Sequence, residues 1–224
     1  MNEQNNKLKL LGSAPIPKAL VSLGIPIMIG MLINALYNLV DAYFVGGLGE
    51  RPMGAISIVF PLGQVVVGLG LMFGNGAASY LSRLLGCKDK NTADKVASTA
   101  LYSSILIGAI LIIFTVIFLK PILLLLGATE TIMPYALTYA RIYILSCIFN
   151  VFNVTMNNIA ASEGAAKTTM SALLLGAIMN IGLDPLFIYT FHMGVAGAAI
   201  ATAISQFIST LVYLSYILRK KSAF

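Results

Sequence analysis

Charge is scarce in this chain, and the scarcity excludes whole classes of protein. Lys, Arg, Asp and Glu together make 10% of the 224 residues, against 58% apolar, whereas soluble domains carry about 25% charged residues. A water-soluble globule is therefore excluded. Histidine occurs once, at His192 in a short loop, so no His-based metal site is expected. The two cysteines, Cys87 in a loop and Cys147 inside an apolar run, are too few and too differently placed for a disulfide framework. The N-terminus, MNEQNNKLKLLGSAPIPK, is polar and lacks a signal-like cleavage site. No Walker signature is present, and GLGLMFGNG lacks the third glycine of a dinucleotide fingerprint. Asn153-Val154-Thr155 has the form of a glycosylation sequon but lies within a hydrophobic run.

Long apolar runs are abundant, and mean hydropathy is +0.91. A bilayer core of about 30 Å needs about 20 apolar residues per helix. Six runs meet that need, at 19–45, 53–82, 95–119, 132–160, 169–190 and 195–218. Unbroken runs of this length argue against a β-barrel, whose strands alternate. The expected fold is an all-α integral membrane protein of six transmembrane helices. Residues 1–18 form a cytoplasmic N-terminal segment, 19–218 a six-helix lobe, and 219–224 a cytoplasmic linker start. The short apolar stretch in KPILLLLGATET reads as a turn of interfacial helix.

The formal charge of +6 has its explanation in topology, and nucleic acid need not be invoked. Lys7, Lys9 and Lys18 precede the first span; Arg83, Lys88, Lys90 and Lys95 follow the second; Lys167 follows the fourth; Arg219, Lys220 and Lys221 follow the sixth. The opposite side holds Arg51 and Lys120, with Arg141 inside the fourth span. By the positive-inside rule both termini are cytoplasmic, in the cell (inner) membrane.

Within this apolar background stand two acids, Asp41 in the first span and Asp184 in the fifth. A carboxylate at the centre of a bilayer costs about 2.5–3.5 kcal/mol on insertion scales. It therefore faces protein or a wet cavity, and it marks an ion or substrate path. Counting at about 1.5 Å per residue puts Asp41, Asp184, Asn180, Tyr139 and Thr202 at similar depth in the outer half. On the first span Asn34, Tyr37 or Asn38, and Asp41 follow helical spacing; on the fifth, Asn180 and Asp184 are i, i+4. The fourth carries Tyr139, Tyr143, Ser146, Asn150, Asn153 and Asn157, and the sixth Thr202, Gln206, Ser209 and Tyr213. Each span thus has one polar stripe. Such stripes can simply join helices through hydrogen bonds. The acids ask for more, because two like charges repel unless a cation or proton lies between them. A pair of carboxylates with amide and hydroxyl oxygens suits H⁺ or the hard cation Na⁺.

Proline and glycine add two further readings. Pro26 lies mid-span and permits a bend, and Pro185 frees the carbonyl of Ile181. Gly68, Gly70, Gly74 and Gly76 make the second span thin, which suits close helix packing. Arg141 lies about 200° around its helix from Tyr139 and is expected to snorkel or pair locally.

The run IPIMIGMLINALYNLVDAYFVGGLG resembles the first helix of multidrug and toxic compound extrusion (MATE) transporters. The similarity continues in SIVFPLGQ, GNGAASYLSRLLG, NIGLDPLFI and GVAGAAIATAISQ, and it covers nearly the whole chain. The resemblance implies a secondary antiporter, not an enzyme, that exports small cationic amphipathic drugs in exchange for Na⁺ or H⁺ and needs no cofactor. It implies a cation site at Asp41, Asp184, Asn180, Thr202 and Tyr139. Asp41, Asp184, Asn180 and Thr202 would be the ligands if sodium is the coupling ion. Pro26 matches the hinge of the first helix. Asn34, Tyr37, Asn153 and Asn157 are candidate cavity contacts. The family has twelve helices in two lobes, so this chain is expected to be the N-terminal lobe, its partner a C-terminal six-helix lobe on the same polypeptide or a second chain. The alternatives are a self-pairing half-transporter and a flippase for a lipid-linked saccharide. The two acids and single embedded Arg141 favour cationic cargo over a diphosphate.

Overall fold

The structure, a computed structural model, describes residues 15–218. Its helices are α1 (Ile16–Gly46), α2 (Glu50–Gly86), α3 (Lys90–Ile117), α4 (Leu119–Leu125), α5 (Met133–Ser162), α6 (Ala166–Pro185) and α7 (Val195–Leu218). All but α4 are long and apolar enough to cross a membrane, α6 together with the turn that follows it. The basic residues of the two terminal segments, apart from Lys18, lie outside the described residues, as does the side chain of Lys18.

Local chemistry explains where the helices start and stop. Helix α1 begins a turn earlier than its apolar run because Pro17 suits a first turn, where its missing N–H costs nothing. Pro26 lies inside this helix, which continues through it. Helix α3 starts five residues ahead of the hydrophobic signal. Asp89 caps it, with Oδ1 accepting the Thr92 N–H at 3.1 Å and Oδ2 the Thr92 hydroxyl at 2.7 Å. The short apolar run after the third span is α4, with Leu119 and Leu123 buried. The fifth span differs from a uniform helix. After Pro185 it continues as a π-turn, Leu186–Thr190, in which the Phe191 N–H donates to the Leu186 carbonyl at 2.9 Å. Pro185 has no N–H to offer the carbonyl of Ile181, so the α pattern fails there and a wider turn takes over.

Packing follows the small residues. Helix α5 is central, lying against α2, α3 and α7. Helix α7 also packs on α6, and α6 carries α1; between α1 and its sequence neighbour α2 there is little contact. The chain therefore runs spatially as α1, α6, α7, α5, then the α2–α3 pair. Gly70 and Gly74 let α2 approach α5: a Cβ on Gly74 would lie 3.0 Å from the Cβ of Asn158 and 3.2 Å from the Cα of Thr155. Gly68 and Gly76 meet nothing within 4 Å, so close packing accounts for two of the four glycines. Most of the apolar surface of α1 is uncovered, including Leu20, Met28, Met31, Leu32 and Leu39. Cys87 is exposed and Cys147 buried, and both are free thiols.

Candidate functional site

Asp184 has no exposed surface and Asn180 only 1%. Both face inward from α6, one turn apart, as their i, i+4 spacing requires. The Asn180 amide donates to Asp184 Oδ1 at 3.3 Å. From α1, Asp41 reaches the same place, and its side chain is in hydrogen-bond contact with Asp184. This follows from α1 packing on α6. Two ionised carboxylates have no hydrogen to share, so the contact requires either a proton on one of them or a cation between them.

The oxygens left over define what the site can hold. Asp41 Oδ1, Asp184 Oδ2 and Asn180 Oδ1 are buried and have no hydrogen-bond partner. Buried polar atoms are almost always satisfied, so three such oxygens in one place call for a ligand. All three are hard acceptors, which suits H⁺ or Na⁺ and does not suit a soft metal. Among the described residues no group of three or more His, Cys, Asp or Glu could hold a metal ion. The donor set therefore fits a proton or a small monovalent cation better than a multi-carboxylate divalent site.

Phenols lie near the acids. Tyr37 lies within electrostatic range of both Asp41 and Asp184. Tyr139 on α5 is buried and lies in range of Asp41 and Tyr37. Its ring stacks on Tyr143, with centroids 5.3 Å apart and planes 16° apart. Tyr143 also lies in range of Asp41 and Tyr37. The polar stripe of α5 contained Tyr143, but spacing alone gave no reason to prefer it over its neighbours.

Thr202 is half-buried on α7, and its hydroxyl has no hydrogen-bond partner among the described residues. The side chain of Asn34 lies outside the described residues. Asn153 is committed to a helix joint: its amide donates to the Gln206 backbone carbonyl and to Gln206 Oε1, both at 2.9 Å, and its Oδ1 accepts from the Thr210 hydroxyl at 3.0 Å. Asn157 Oδ1 accepts from the Tyr213 hydroxyl at 3.1 Å. Both asparagines therefore help join α5 to α7, the structural use that the sequence stripe also allowed. Arg141 is exposed on α5, on the side away from buried Tyr139. The sequence reading passed over Glu163, which is 3% exposed and accepts a hydrogen bond from the Tyr216 hydroxyl. Nothing in the loop sequence ASEGAAK signals that burial.

Residues 26–186, a span that contains both acids, match the profile of the MatE family. The chain belongs to the MATE family. It is similar to the multidrug export protein MepA of Staphylococcus saprophyticus, with 34% identity over 218 residues, 97% of this chain and 48% of that protein. MepA of Staphylococcus aureus strain NCTC 8325 is 34% identical over 217 residues, again 48% of its length. A MATE crystal structure in the straight conformation has a TM-score of 0.89 at 37% identity and covers 96% of this chain and 47% of that one. A MOP superfamily transporter from Pyrococcus furiosus, described as having a binding pocket of reversed polarity, has a TM-score of 0.86 at 37% identity, with 96% of this chain and 47% of that one covered. The chain thus spans about half the length of the relatives it matches.

Proposed function

We propose that this chain is the N-terminal, cation-binding lobe of a MATE antiporter that exports cationic amphipathic drugs. The observation that carries the reading is the contact between Asp41 and Asp184, surrounded by three partnerless oxygens. In the outward-facing state Na⁺ or H⁺ enters between the two carboxylates, which Asn180 orients. Neutralising the pair removes the negative field that attracts a cationic drug, and α1 responds by bending near Pro26. Drug release and ion entry are then two uses of the same charge. An ion shifts the equilibrium between conformations only by its differential affinity for them, and a pair shared between two helices supplies that difference. Tyr37, in electrostatic range of both acids, serves as a cavity contact, and Thr202 offers a further hydroxyl. Both termini face the cytoplasm, and a second six-helix lobe completes the path.

The test is Asp41→Asn in the intact transporter, reconstituted with ethidium as the exported dye. Loss of ion-driven efflux, with the protein still folded, is the expected result; coupled efflux at the wild-type rate would refute the reading. A lipid-linked saccharide carries negative phosphates, which the acid pair repels. Binding of an anionic lipid precursor in preference to the dye would favour the flippase instead.

A further inference from the structure

The last carbonyls of a helix need partners from outside it. At the end of α1, loop N–H groups serve most of them: Gly47 donates to Tyr43, Leu48 to Val45 and Gly49 to Gly46. The Phe44 carbonyl is omitted from that set, and the Tyr189 hydroxyl takes it at 2.6 Å. Two further observations agree that this contact is built. The rings of Phe44 and Tyr189 meet edge to face, 6.2 Å between centroids and 69° between planes. Gly47 has no Cβ, and one placed there would collide with the Tyr189 hydroxyl.

Position gives the contact its meaning. Tyr189 lies in the π-turn that Pro185 starts immediately after Asp184. Phe44 lies three residues beyond Asp41, about one helical turn. The hydroxyl therefore ties together the two backbone segments that carry the acids, just above the acids themselves.

We propose that Tyr189 is a positioning residue for ion binding: its bond to the Phe44 carbonyl fixes the separation of Asp41 and Asp184. The inference rests on the ion-coupled reading of the acid pair. Removing the hydroxyl lets the end of α1 move away from α6, and the carboxylates no longer meet a cation at one spacing. Gly47 is part of the same device, because its bare Cα leaves room for the phenol.

The experiment is a double-mutant cycle in the intact transporter in vesicles, reading the coupling-ion concentration at half-maximal ethidium efflux. Tyr189→Phe is expected to raise that midpoint about threefold to tenfold, the scale of one lost hydrogen bond, with a smaller effect on the rate at saturating ion. Gly47→Ala should raise it similarly in the wild-type background. In the Tyr189→Phe background it should add much less, because the collision with the hydroxyl is gone and the added methyl meets only the Phe44 carbonyl oxygen at 3.3 Å and the ring at 3.5 Å. An unmoved midpoint, even with lowered thermal stability, overturns the proposal, as does strict additivity of the two changes. Failure of the ion-coupled reading is separately visible: Asp41→Asn would leave the ion dependence in place.

Discussion

Asn180 and Asp184 share one hydrogen bond of 3.3 Å along α6, and each keeps one side-chain oxygen, Asn180 Oδ1 and Asp184 Oδ2, without a partner. The amide thereby fixes the carboxylate and presents its own oxygen beside it. Asn180→Leu is expected to remove both services. A hydrogen bond to a charged group contributes about 1.5–3 kcal/mol, so the coupling-ion midpoint for efflux should rise by at least about tenfold. An ion titration of ethidium efflux measures it, and a midpoint within about twofold of wild type contradicts the assignment.

Asn153 holds α5 to α7 through three hydrogen bonds. Asn153→Ala takes from Gln206 Oε1 its donor on α5, while the Thr210 hydroxyl keeps only its bond to the Gln206 carbonyl. The expected loss is about 1–3 kcal/mol of stability, read by unfolding in detergent. Ion dependence of efflux should persist, because the residue braces helices and does not touch the acids. A selective change in drug spectrum without loss of stability would instead assign it to the cavity.

The α2–α5 contact makes a comparison within one helix. Gly74→Leu forces atoms onto Asn158 and the Thr155 backbone and should destabilise the lobe by about 1–3 kcal/mol. Gly76→Ala, two residues away, meets nothing within 4 Å and should be tolerated. Thermal melting of the two variants in the same detergent distinguishes them, and equal losses would refute the packing assignment.

The cap of α3 has a pH signature. Thr92 donates side-chain and backbone hydrogen bonds to Asp89, which holds the Asp89 carboxyl below its ordinary value. A carboxyl depressed in the folded state contributes stability that is complete above its unfolded value, about 4, and is lost as pH falls through the folded one. Protection of the Thr92 amide from hydrogen exchange, corrected for intrinsic rates, should therefore fall only below about pH 4. In Asp89→Ser, which caps without charge, that dependence should disappear.

Legibility from sequence varied with the range of the interaction. Six spans and the short helix α4 were readable, because hydropathy and helical periodicity are local quantities. The meeting of Asp41 with Asp184 was inferable from charge economics, since isolated carboxylates are too costly in hydrocarbon. The use of Asn153 was not readable: a polar stripe looks the same whether it lines a cavity or bonds a neighbouring helix. Glu163 and Tyr189 escaped notice for a related reason. Each sits near a helix end, where sequence gives no measure of enclosure, and each is defined by a partner more than 50 residues away. The π-turn needed Pro185 to be read as a change of helix type as well as a freed carbonyl.

The attachment of α1 along a single edge has a mechanical consequence. Most of its perimeter meets no other part of the lobe, so fewer contacts hold it in place than hold α5, which is wedged among three helices. A helix hung in this way is placed like a door leaf: on the proposed reading Asp41 is its latch, and the wall it closes against is α6. On the proposed ion-coupled reading, one small ion bound at the latch acts on a helix about 45 Å long, with the rest of the bundle as its frame.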